Sequence, residues 1–142
     1  MSHQDVELIL ARKLAEALAD VVLIIDARGD TIFFNEPGGR LLGRPFEEFD
    51  ALPFAERNAL LAPLRPDGSP LPRGELPGIR AMAEGRPTHV VLHMHDVAGH
   101  LLAVETVGVP LQSASGHTIG AFVVAWLRPP ASEQPSARAG EG

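Results

Sequence analysis

Residues 93–100 read HMHDVAGH, placing His93, His95 and His100 close to Asp96. Alternate positions of a strand share a face, so His93 and His95 with a histidine across a hairpin are within reach of one zinc ion. The order is wrong for the hydrolytic string His-x-His-x-Asp-His, because Asp96 follows His95 directly and His100 lies four residues further on. No second set of histidines or carboxylates is available to complete an open catalytic site. The expectation is three solvated or partner-facing histidines, with weak zinc binding or pH sensing as the functional form, because imidazole titrates near neutrality.

Other catalytic chemistry finds less support. The chain has no cysteine, which removes disulfides, thiolate metal sites, thiol nucleophiles and any chromophore linked through sulfur. It has no Gly-x-Ser-x-Gly elbow, no Gly-x-x-x-x-Gly-Lys phosphate loop and no kinase set, and Asp26, Glu36 and Asp96 read as turn or cap residues. No catalysis is expected. Twelve Lys plus Arg against eighteen Asp plus Glu leave a net charge of −6 without a basic block, which argues against direct binding of nucleic acid or an anionic membrane. Asp5 and Glu7 precede the first apolar stretch and no run approaches the ~18 residues of a membrane span, so a cytoplasmic location is expected.

The elements that must position these residues follow from periodicity. Ser2 and Asp5 have capping-box spacing, and Val6, Ile9, Leu10, Leu14, Ala17, Leu18 and Val21 recur at helical intervals, predicting a helix over 3–19. Residues 21–25 and 31–34 are β-branched or aromatic and flank a four-residue polar turn, predicting a hairpin. Helix breakers from Asn35 to Pro45 precede short helical pieces at 46–49 and 54–61, and 65–70 reads as loop. A longer helix is predicted over 75–84, stopped by Gly85. Three apolar runs, 88–95, 100–111 and 118–127, make an antiparallel meander with turns at 96–99 and 112–117. The division expected is a capping or dimerisation helix over 1–20, a domain over 21–128 and a disordered tail over 129–142.

In that order, three local strings carry a family likeness. IIDARGDTIFFNEPGGRLLGRP has a strand, an Asp-x-x-Gly turn, a strand ending in Asn and a short helix ending near Leu-Leu-Gly. RPDGSPLPRGELPGIRAMAEGRP and LQSASGHTIGAFVVAW supply an Asp-Gly loop with a long helix, and a last hairpin. Over residues 16–128 the chain resembles a PAS domain. The resemblance implies an α+β fold: a five-stranded antiparallel sheet in the order 2-1-5-4-3, with short helices enclosing a small-molecule pocket on one face and the N-terminal helix or a second subunit on the other. The apolar strings VVLII and AFVVAWL agree, since a half-solvated sheet would alternate apolar with polar residues. The resemblance further implies a sensory or regulatory module of bacterial-type signal transduction or transcriptional regulation. A small ligand, an output domain or a signalling partner would be its correspondents.

Treating 96–99 as a four-residue loop sets His95 opposite His100. Val90, Leu92 and Met94 then share a face with Leu101, Ala103 and Glu105, extended by Gly120, Phe122, Val124 and Trp126. Expected pocket residues are thus Phe33, Ile79, Met82, Leu92, Met94, Glu105, Phe122 and Trp126. Glu105 would orient a ligand, unless a bulge or slipped register returns it to water. Val6, Ile9, Leu10 and Leu14 spread wider than one stripe and are the expected homodimer interface. A structural dimerisation module with a filled core is the first alternative, and a haem or metal sensor the second. Haem is disfavoured because ELPGIRAMAE lacks histidine and leaves only Met82 and Met94 as soft ligands, which more often fill cores. Noncovalent flavin has no residue in its favour. Pro129 and Pro130 stand where many relatives continue into a signalling helix, so either a stand-alone PAS protein or a fragment is expected.

Overall fold

The computed structural model describes residues 3–46 and 51–128, with side chains from residue 7 onward. The element order is α1 (His3–Ala17), β1 (Val21–Asp26), β2 (Thr31–Phe34), α2 (Glu36–Leu42), α3 (Phe54–Leu61), α4 (Pro77–Glu84), β3 (Thr88–His95), β4 (Leu101–Gln112) and β5 (Thr118–Leu127). A 3-10 turn, Arg73–Glu75, leads into α4. The strands form one antiparallel sheet in the order β2-β1-β5-β4-β3. The helical piece expected over 46–49 lies largely outside the described residues, and Phe46 itself is not helical. The tail over 129–142 and the capping residue Ser2 are also outside them.

The sheet is covered on both faces, which is why its strands are continuously apolar. On one face Leu23, Phe34, Leu92, Met94 and Val104 pack with Leu42 of α2 and Leu61 of α3. On the other, Val22, Ile24, Phe33 and Phe122 receive Ala11 and Ala15 of α1, with Leu8 and Leu18 at the margin. Alanines at the closest approach let the helix backbone lie near the sheet. The outward side of α1 leaves Ile9, Leu10 and Leu14 at 42%, 63% and 55% exposed.

One side chain joins the layers. Asn35, 5% exposed at the end of β2, accepts through Oδ1 from the backbone N–H of Val22 and of Gly38, both at 3.0 Å. The second of these bonds caps α2, a job for which an Asn side chain is well suited. Its Nδ2 donates towards the carbonyls of Ala15 (3.2 Å), Leu18 (3.3 Å) and Asp20 (2.8 Å) where the chain leaves α1, sharing the first with the Leu18 N–H.

Three hairpins and one loop share a turn. In each, a glycine at positive φ donates to the carbonyl three residues before it: Gly29 to Asp26, Gly68 to Arg65, Gly99 to Asp96 and Gly116 to Ser113. The residue after the glycine then pairs back with the first, as in Asp96 N–H to His100 O at 3.0 Å. This is a type I turn closed by a glycine bulge, so the loop is one residue longer than a four-residue reading of 96–99 allows. His95 therefore lies opposite Leu101, not His100. A slip of one position moves every side chain of the strand to the other face.

Candidate ligand cavity

Helices α3 and α4 stand over the sheet and leave a cavity of about 70 Å³ between them. Its floor is Leu23 and Ile25 of β1, Leu92 and Met94 of β3, and Val123 and Ala125 of β5; Leu61, Leu76 and Ile79 close it from the helices. Two glycines set the depth. A Cβ on Gly108 would run into the Pro77 carbonyl, and one on Gly78 would come within 2.7 Å of Ile25 Cδ1 and 2.9 Å of Val123 Cγ2. Thr88 completes the seam by donating from Oγ1 to the Pro77 carbonyl at 2.8 Å.

The polar lining is Arg57, Asn58 and Thr106. Arg57, on α3, is only 7% exposed. Its Nη1 donates to the Gly29 carbonyl and to Thr31 Oγ1, each at 2.7 Å, tying α3 to the β1–β2 turn. Its ring neighbour is Phe54 at 5.2 Å, on which Arg73 also stacks at 4.0 Å. Burial pushes the guanidinium down from its ordinary range to about 10, with Asp30 opposing, Arg73 adding to the drop and Asp26 opposing it. It therefore stays cationic at neutral pH. Thr106 Oγ1 donates to the Val90 carbonyl at 2.8 Å, leaving its lone pairs to the cavity side.

The expected site residues divide between the two faces. Ile79, Leu92 and Met94 line the cavity, whereas Met82, half-buried on α4, does not. The longer turn corrects the register: Val90, Leu92 and Met94 pair with Thr106, Val104 and Leu102, so Leu101, Ala103 and Glu105 lie on the opposite face. Glu105 sits opposite Trp126, and Phe122 opposite Val109, so both aromatics go with it. Glu105 Oε1 is 3.0 Å from His89 Nε2, and the His89 ring is 6.4 Å from that of Trp126. Phe33 pairs with Ile24 and packs under α1, with the Arg12 guanidinium 4.8 Å above its ring; Phe34 is the residue that faces inward. The side chain of Val6 lies outside the described residues.

His93 alternates with Leu92 and Met94 and so points to the face away from the cavity, while His95, the last residue of β3, turns its ring to the end of α3 and does not line the cavity. His95 Nδ1 is 3.2 Å from the Leu61 carbonyl and His100 Nδ1 is 3.1 Å from Asp96 Oδ2. Among the described residues no three metal-binding side chains converge. Arg57 is the residue that sequence reasoning passes over, because FAERNALL reads as an ordinary helix with arginine on a polar side.

A family model described as the PAS fold, PAS_4, matches residues 15–126. The chain belongs to the PAS family. Solved structures agree on the fold. The PAS domain of Bordetella pertussis BvgS aligns with a TM-score of 0.60 at 14% identity, covering 89% of each chain. A PAS domain from Colwellia psychrerythraea gives 0.60 at 20% identity, over 85% of this chain and 96% of that one. A phage VqmA solved as a complex with DPO gives 0.64 at 17% identity, over 98% of this chain and 57% of that one. No curated protein matches. Among the described residues of this PAS domain, no helix is long and apolar enough to cross a membrane.

Proposed function

We propose that this PAS domain is a sensory module that takes a small ligand between its sheet and helices α3 and α4, and passes occupancy to an output domain or partner in bacterial signal transduction. The observation that carries this reading is the cavity: apolar walls with a few placed polar groups are the usual make-up of a small-molecule site. The complex of phage VqmA with DPO supports a ligand-responsive role for a related fold. A filled structural module fits less well, since two of the largest side chains, Trp126 and Phe122, belong to the other face and the inner one keeps a cavity.

Haem and flavin do not fit the residues present. A cavity of about 70 Å³ is under half the ~150 Å³ that accepts benzene, and its lining has no histidine. The ligand is correspondingly small. Relay would run through Asn35, which touches both the β1–β2 hairpin and the exit of α1, and a ligand acts there only through unequal affinity for two arrangements. The outward leucines of α1 form the homodimer contact in this reading, and the protein works in the cytoplasm.

Native mass spectrometry with a thermal-shift screen of small molecules tests it. A copurifying mass, or a saturable rise in melting temperature, is the expected result. Absence of both, with xenon failing to perturb the Met94 methyl resonance, would show the core to be closed and remove the reading.

A further inference from the structure

Resting on that reading, we propose that the cavity selects a small carboxylate, held by the free edge of the Arg57 guanidinium with its short apolar tail among Leu23, Leu92, Met94 and Val123.

A guanidinium has five N–H donors in a rigid fork. Both hydrogens of Arg57 Nη1 are spent on Gly29 O and Thr31 Oγ1, bonds that fix the plane of the group. Nε and Nη2 meet no protein acceptor among the described residues, and although Arg57 as a whole is nine-tenths buried at the cavity wall, neither atom is sealed from a water-sized group, so both can donate to a ligand. No carboxylate lies within ion-pair distance of the group among the described residues, and a largely buried charge gains from one. Here the nearby carboxylates are committed elsewhere. Asp30 Oδ1 accepts from Phe54 N–H at 2.7 Å, and Oδ2 lies 3.6 Å from Arg28 Nε. Asp26 Oδ1 accepts from the N–H groups of Arg28 and Asp30, and Oδ2 lies 3.6 Å from Arg28 Nη2. Arg73 adds a further cation rather than a counterion, spending Nη2 on the Arg28 carbonyl at 2.6 Å. Three guanidiniums thus surround two occupied carboxylates, and an anion entering the cavity completes the balance.

The remaining lining fits the same ligand. Asn58 can donate from its side-chain amide and Thr106 can accept, so one end of the cavity is polar while the floor is hydrocarbon. The volume admits a ligand of a few heavy atoms, which rules in short-chain acids and rules out long ones. A fork facing a carboxylate gives two parallel charge-assisted hydrogen bonds, a geometry lysine does not reproduce.

The test uses acetate and its neutral isostere acetamide at pH 7, titrated into the intact chain while following the Met94 methyl resonance and the heat of binding. Acetate should saturate and bind about ten- to a hundred-fold more tightly than acetamide, the margin expected of hydrogen bonds to a charged group. Arg57→Gln should abolish the preference. Because that variant also strands Gly29 and Thr31, Asn58→Asp provides a second arm: it leaves both Nη1 bonds in place, adds a negative charge to the cavity lining, and should weaken acetate at least ten-fold. Equal binding of acetate and acetamide would overturn the proposal while leaving a small-ligand module standing. Unchanged acetate binding in Asn58→Asp would also overturn it. Failure of either probe to move Met94, when xenon does move it, overturns the carboxylate assignment alone; failure of xenon as well removes the sensory reading with it.

Discussion

Replacing Asn35 by alanine should be among the most damaging single changes outside the sheet interior. The side chain accepts from Val22 and Gly38 and donates towards three carbonyls at the end of α1. Loss of the α2 cap costs about 1 kcal/mol. The buried Val22 N–H, left without its side-chain partner, costs about 2 kcal/mol, and the α1 carbonyls about 1 kcal/mol more. A total of about 4 kcal/mol corresponds to a fall of roughly 15 °C in melting temperature for a domain of this size. Urea unfolding followed by circular dichroism measures it. Asn35→Ser keeps a capping oxygen and should recover about 1 kcal/mol. Asn35→Asp keeps both acceptor bonds but turns a carboxylate towards three carbonyls, so it should loosen α1 selectively, seen as lost amide protection in 3–17 with the sheet still protected. Were Asn35→Ala to unfold within 1 kcal/mol of the parent, or Asn35→Asp to leave α1 protected, the reasoning that makes Asn35 the link between α1 and the hairpin would be wrong.

Gly108→Ala should cost more than about 3 kcal/mol, because its Cβ meets the Pro77 backbone, while Gly78→Ala meets only methyl ends and should cost about 1 kcal/mol; thermal unfolding giving equal losses would contradict the close seam between α4 and the sheet. Leu10→Glu with Leu14→Glu should leave monomer stability within about 0.5 kcal/mol, since both side chains are exposed in the single chain, yet abolish self-association in sedimentation. A parent that sediments as a monomer at tens of micromolar would dispose of the dimer. The backbone N–H of His100, then its ring, hold Asp96 below the ordinary aspartate range. Its contribution is therefore present above the unfolded pKa and lost as pH falls through the lower folded one. Asp96→Asn should flatten the acid limb of a stability-against-pH curve below about pH 4, and an unchanged limb would show that this turn carries no titratable stability.

The positions of the elements were legible because local chemistry sets them. Thr88–His95, Thr118–Leu127 and Phe54–Leu61 are bounded as the apolar runs and breakers suggest, and Gly85 ends α4 with positive φ. The faces were harder to read. In β3 and β4 nearly every position is apolar or ambiguous, so alternation gives no preferred side and everything hangs on the length of one turn. The signal was present in the repeated spacing of Asp26 with Gly29, Asp96 with Gly99, and Ser113 with Gly116, each with a side-chain oxygen accepting from the backbone of its own turn. Reading 96–99 as a closed four-residue loop instead moved Glu105, Phe122 and Trp126 to the wrong layer.

Composition and pattern alone determine that this chain builds a sheet buried on both faces with a leading amphipathic helix, since hydrophobic burial, turn chemistry and helix breaking act over a few residues at a time. Which face each strand residue meets, and that Arg57 lies largely buried at a cavity wall, came only from tertiary structure. Those outcomes depend on strand register and on groups far apart along the chain, such as Arg57 and Gly29, 28 positions apart, and Arg73 and Arg28, 45 apart. No local rule couples residues so far apart; packing does.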